Sequence, residues 1–146
     1  VSMPGAPADV VPVAKVAGTR VDSVFIGSCT NGRREDFEAA AGVVAGKRVA
    51  PGMMAKAVPA TREVFGELLA GGQIATLFGA GFVVSNPGCG GCASGQIGMT
   101  GKGEVQISTS NRNLRGKQGM GETYLASPLT AAASALAGVI TVPEVR

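Results

Sequence analysis

Cys29, Cys89 and Cys92 are the only cysteines in this 146-residue chain, and histidine is absent altogether. Cys29 lies in Gly27-Ser28-Cys29-Thr30-Asn31-Gly32, directly after an apolar run, and the other two form Asn86-Pro87-Gly88-Cys89-Gly90-Gly91-Cys92 after another. Thiolate sulfur is a soft donor that suits iron–sulfur clusters, zinc or copper, whereas carboxylates suit harder ions. A structural zinc site is normally closed by four ligands drawn from Cys or from Cys and His. Three thiolates with no fourth suggest a metal centre left open on one side. Small residues around paired cysteines let backbone N–H groups approach the sulfurs and tune a cluster's potential, and Gly88, Gly90 and Gly91 fit that need.

Two other readings of the thiols stay open at this level. A redox pair needs its Cys-x-x-Cys at the opening of a helix in a βαβ unit, which the 89–92 loop could satisfy while leaving Cys29 unexplained. The thiols could also be buried and inert. A disulfide framework is disfavoured, because three cysteines leave one over and no secretory signal is read at the start of the chain.

The elements that must position these residues follow from periodicity and caps. Residues 1–20, with Pro4, Pro7 and Pro12, read as an extended N-terminal arm or linker, and residues 21–146 as one α/β domain carrying the thiol site. Residues 21–27 predict a buried strand ending at the first cysteine loop. Phe37, Ala40, Ala41 and Val44 recur at helical spacing over 33–45, with Glu35 and Asp36 in the first turn where the helix dipole favours acids. The apolar run 53–58 stops at Pro59, and Thr61 caps a helix carrying Val64, Phe65, Leu68 and Leu69. A short helix over 73–78, a strand over 82–85 and a strand over 105–108 follow. Residues 109–121 read as a polar stretch. Ser127-Pro128 then open a last helix running to about 137. Strands alternating with helices argue for a mostly parallel α/β sheet. In such sheets ligands bind beyond the carboxyl ends of the strands, so the loops at Cys29, at Cys89/Cys92 and at Asn111-Arg112-Asn113 are expected to converge on one crevice.

Composition narrows the function classes. The hydrophobic content of 45% is ample for a core, aromatic residues reach only 4%, and the formal charge is +3. No base-stacking surface is suggested, and the basic residues gather only around Arg112, Arg115 and Lys117, which suits a small polycarboxylate better than nucleic acid. No apolar run approaches the ~20 residues that span a bilayer. A soluble protein of a reducing, cytoplasmic compartment is expected. Gly98-Met99-Thr100-Gly101-Lys102-Gly103 fails as a phosphate-binding loop, since Gln96 stands in the place of its first glycine and Gly103 where Ser or Thr is required.

The segments Gly27-Ser28-Cys29-Thr30-Asn31-Gly32-Arg33, Pro87-Gly88-Cys89-Gly90-Gly91-Cys92, Ser110-Asn111-Arg112-Asn113-Leu114 through Lys117, and Leu125-Ala126-Ser127-Pro128 resemble the aconitase superfamily in order and spacing, from about residue 4 to residue 142. The Gly-Arg after Ser-Cys-Thr-Asn is similar to its 3-isopropylmalate dehydratase and homoaconitase large subunits, whose relatives act in leucine and other amino-acid biosynthesis. The resemblance implies a three-layer α/β/α fold like the third, C-terminal domain of such a subunit. It also implies a hydro-lyase that isomerises a 2-hydroxy acid by dehydration and rehydration. By the same resemblance, Cys29, Cys89 and Cys92 carry a 4Fe-4S cluster by three of its irons, Asn111 supports the cluster, and Arg112 and Lys117 bind a substrate carboxylate. Lys117 stands where the family usually has Arg, Gly91 where Pro is common, and Gln96 where many relatives have other residues. No catalytic acid or base is expected in this chain. The resemblance places those residues in the remaining large-subunit domains and a small subunit, which are the implied partners together with a di- or tricarboxylate substrate. A thiol redox or metal-binding module is the alternative of another class.

Overall fold

The computed structural model describes residues 1–144, so Val145 and Arg146, the end of the predicted 21–146 unit, lie outside it. Five parallel strands form one sheet in the order β3-β2-β1-β4-β5. They are β1 (Ser23–Gly27), β2 (Met54–Val58), β3 (Val83–Val84), β4 (Val105–Ser108) and β5 (Glu122–Leu125). The helices are α1 (Arg34–Val44), α2 (Arg62–Ala70), α3 (Gln73–Ala80) and α4 (Pro128–Ala137). The architecture is of the three-layer α/β/α class read from the sequence. Its two outer layers are unlike each other.

Side chains alternate across a strand, and here alternation sorts them by chemistry. Val24, Ile26, Ala55, Ala57, Ile107 and Tyr124 point to one face, where they share a single core with Phe37, Val44, Leu68, Leu77, Ala131 and Ala135 of the four helices. The other face carries Ser23, Phe25, Lys56, Gln106, Ser108 and Thr123, all buried. Its cover comes from residues 85–104 and 109–121, whose only helical piece is a 3-10 turn at Gly90–Cys92. This follows from topology. The chain moves from β1 to β2 to β3 in one direction and reaches β4 and β5 on the far side of β1, so right-handed crossovers place the later connections on the opposite face.

Local signals account for the helix starts. Thr61 Oγ1 accepts from the Val64 N–H at 3.3 Å, and Ser127 Oγ accepts from the Thr130 N–H at 3.2 Å with Pro128 in the first turn. At α1 the Asp36 carboxylate accepts from the Arg33 N–H at 3.1 Å.

The structure differs from the sequence reading at two strands. β5 lies in a segment where the sequence pattern predicts no strand. Glu122-Thr123-Tyr124-Leu125 carries little apolar pattern, and its extended form is set by pairing with β4 from Val105↔Glu122 to Ser108↔Leu125. β3 shortens to two residues at the open edge of the sheet. Residues 1–20 fold back on the body. Ser2 exchanges backbone hydrogen bonds with Leu125 at 2.8 and 3.1 Å, a 3-10 turn spans Val13–Lys15, and Arg20 pairs with Val139.

Candidate functional site

β1 is the strand from which the chain departs in both directions, so the crevice beyond its carboxyl end, beside β4, is where a doubly wound sheet presents ligand-binding loops. Cys29 sits there. Gly27 has φ +124° and Ser28 has φ +99°, and together they turn the chain out of the sheet so that Cys29 is exposed while Ser28 is fully buried. A Cβ on Gly27 would fall on the Val58 carbonyl, which leaves room only for glycine. Ser28 has no such excuse, and a non-glycine residue in this region costs about 1–3 kcal/mol. Its Oγ offsets part of that cost by accepting from the N–H groups of Thr30 at 3.4 Å and Asn31 at 3.3 Å.

The loop is tied to the end of β4. Thr109 Oγ1 accepts from the Gly27 N–H at 2.8 Å, the Thr109 N–H donates to the Phe25 carbonyl at 3.0 Å, and Asn31 Nδ2 donates to the Thr109 carbonyl. The paired-cysteine loop is tied to β2 instead, through Ser85 N–H to the Ala57 carbonyl at 2.9 Å and Gly88 N–H to the Pro59 carbonyl at 3.1 Å. Its 3-10 turn keeps Cys89 and Cys92 on one bend. The glycines serve packing here as much as chemistry: Gly90, at φ +54°, lies flat against the Phe25 ring, and Gly91 backs onto the Gly98 carbonyl.

The structure sets Cys29 and Cys89 as neighbouring free thiols, near enough for one to bear on the other's ionisation. Interaction with the Cys29 thiol and repulsion by its charge, then partial burial and the nearby Cys92, push the Cys89 thiol above its ordinary range, while Lys117 pulls it down. Cys92 Sγ donates to Asn111 Oδ1 at 3.7 Å. Arg112 is exposed on the same loop as Asn111, and Lys117 is half-buried at its end. No group of three His, Cys, Asp or Glu among the described residues is gathered tightly enough for a single metal ion. No helix among them is long and apolar enough to cross a membrane.

The sequence reading missed the polar residues beneath the loops. Lys56, Gln106 and Gln118 are buried under the site. The signal was present: a lysine inside the run Met53-Met54-Ala55-Lys56-Ala57-Val58 and a glutamine inside Val105-Gln106-Ile107 are out of place in strands buried on both faces.

By fold and site, this is a parallel α/β domain whose switch-point crevice is lined with thiols and flanked by cations. The family model described as aconitase family (aconitate hydratase) matches residues 7–138, and the chain belongs to that family. It is 51% identical over 146 residues to the homoaconitase large subunit of Thermus thermophilus, covering 99% of this chain and 35% of that one. It is 52% identical over 133 residues to the 3-isopropylmalate dehydratase large subunit of Desulfosudis oleivorans, covering 90% and 31%. A 3-isopropylmalate dehydratase large subunit of Thermococcus kodakarensis is 48% identical, with 99% and 38% covered. The chain thus spans about a third of the length of the curated relatives it matches.

Proposed function

We propose that this chain is the cluster-holding, third domain of an iron–sulfur hydro-lyase large subunit of the 3-isopropylmalate dehydratase type, working in the cytoplasm. Cys29, Cys89 and Cys92 would hold a 4Fe-4S cluster. When bound, it supplies a Lewis-acidic iron for the hydroxyl and carboxylate of a 2-hydroxy acid. The observation that carries this reading is that Cys29, from the loop after β1, Cys89 and Cys92, from the loop after β3, and Asn111 and Lys117, from the loop after β4, are near neighbours at one end of the sheet, with the Cys92 thiol on Asn111. The donor set fits the group in its chemistry: all three candidate ligands are free thiols, the soft donors that iron–sulfur clusters take.

The chain's own side chains do the binding around that centre. Asn111 accepts from the free Cys92 thiol through its amide oxygen, and toward that sulfur as a thiolate ligand the amide would turn over to offer its NH₂. Arg112 offers a planar fork to a carboxylate, and Lys117 a compact point charge. Proton removal from carbon needs a positioned base, and with no histidine in the sequence that base is assigned to the remaining large-subunit domains and a small subunit. Substrate and partners follow from the same reading. Names among the relatives divide between 3-isopropylmalate dehydratase and homoaconitase at nearly equal identity, so an assembled enzyme is to be offered both 2-isopropylmaleate and cis-homoaconitate.

Anaerobic reconstitution followed by iron and acid-labile sulfide assay tests the reading directly. Cys29→Ser is expected to lose the cluster as completely as Cys89→Ser, and the loaded chain alone should show no hydratase turnover. Full iron and sulfide in Cys29→Ser would overturn the three-thiol assignment in favour of a redox or metal module built on Cys89 and Cys92.

A further inference from the structure

The sheet face under the site holds a line of side chains whose donors all point the same way. Lys56 reaches across β1 from β2, and its Nζ donates to Gln106 Oε1 at 3.4 Å. Ser23 Oγ donates to the same oxygen at 3.2 Å. Gln106 Nε2 then donates to Gln118 Oε1 at 3.3 Å, and Gln118 Nε2 donates to Ser110 Oγ and to the backbone carbonyl of Arg112. Lys56, Gln106, Gln118 and Ser110 are all buried, the first at 6% exposure and the second at 0%.

The direction of this line has a chemical origin. A lysine ammonium has donors and no acceptor, whereas an amide has one end of each kind and can be turned over. With an obligate donor at its inner end, Gln106 must face Lys56 with its oxygen, which turns its NH₂ toward Gln118. Gln118 is thereby turned to offer its own NH₂ to the Arg112 carbonyl. Burying a lysine is costly. The cost has no return in the apolar core, which lies on the opposite face. It is returned as a fixed polarity two side chains away, at the loop that carries Arg112.

We infer that Lys56 is a positioning residue: through Gln106 and Gln118 it holds the backbone of Arg112 so that the guanidinium is presented to a substrate carboxylate. The inference rests on the reading of Arg112 as a substrate-binding residue. Lys56 touches neither substrate nor thiols in this role. Its partner amides act as a unit, so reversing one reverses the other.

Three variants test it: Lys56→Met, which removes the donor at similar length; Lys56→Arg, which keeps a donor; and Gln106→Glu, which keeps the acceptor toward Lys56 and removes the donor toward Gln118. Amide hydrogen exchange on the chain and steady-state kinetics on the assembled enzyme are the two readouts. In Lys56→Met and Gln106→Glu, exchange in residues 110–118 is expected to quicken by about tenfold, with α1 and α4 unchanged. KM is expected to rise about tenfold with kcat within about threefold, and Lys56→Arg should restore most of both. Unchanged exchange in 110–118 overturns the relay. Faster exchange throughout the chain overturns it too, because Lys56 would then serve the fold at large. Loosening confined to 110–118 with KM unmoved upholds the relay and overturns the substrate role of Arg112 instead.

Discussion

The two faces of the sheet are made from alternate residues of the same strands, yet they do opposite work. Val24, Ile26, Ile107 and Tyr124 meet helices and hold the fold, whereas Ser23, Lys56, Gln106 and Ser108 meet loops and hold the site. Helices satisfy their own backbone groups, so an apolar sheet face suffices to receive them. Loops do not. The 85–104 and 109–121 connections bring unpaired backbone polar groups over the sheet, and a polar face supplies partners such as Gln118 for the Arg112 carbonyl and Ser108 Oγ for the Ser110 N–H at 3.1 Å. A site of irregular backbone is stable here because the strands beneath it are polar on one side only.

Substitutions on the two faces should therefore separate stability from function. Phe37→Ala, in the helix-covered core and fully buried, is expected to cost about 3–5 kcal/mol of folding free energy, read from denaturant unfolding of the chain. On the loop face, Arg112→Ala in the assembled enzyme is expected to leave unfolding unchanged and cost about 2–5 kcal/mol in transition-state stabilisation, seen in kcat/KM. Arg115→Ala should cost little by either measure, because Arg115 is exposed and its stem leans on Gly5 in the N-terminal arm. Equal harmlessness of Arg112→Ala and Arg115→Ala would make the loop mere scaffolding and erase the contrast between the faces.

Smaller effects sharpen the same contrast. Ser127→Ala removes the oxygen that caps α4 and is expected to destabilise the chain by about 1 kcal/mol without altering cluster content. The weakest signal comes from Lys56, whose pKa burial holds below its ordinary 10.5, with Glu104 opposing. The unfolded chain then binds more protons than the folded one between the lowered value and 10.5, so stability rises with pH across that window. Melting of the parent and of Lys56→Met at a series of alkaline pH values should show that rise in the parent alone. Parallel curves would mean that Lys56 is as well solvated in the fold as outside it.

Much of the helix-covered half was legible from order and spacing. The apolar period of α1, the caps at Thr61 and Ser127, and the strand runs ending at Cys29 and before Cys89 all depend on neighbours within a few residues. β5 was not legible, because Glu122 to Leu125 becomes a strand through pairing with β4 and the Ser2 contact at its end. Nor was the reason for Gly90, where any Cβ would strike the Phe25 ring of a residue more than sixty positions earlier in the chain.

What the residues by themselves determined is the chemistry on offer: three thiols, each pinned to a loop after a strand, no histidine, and a basic stretch after β4. Only the tertiary structure decided which of these meet. Strand order places the end of β1 between β2 and β4, so Cys29 faces Cys89 across a gap of sixty residues, and Lys56 reaches Gln106 over a strand that separates them. Periodicity and caps are local properties of a chain. Convergence is a property of topology and side-chain reach, and it appears only when crossovers have fixed which loops share an edge and which side chains share a face.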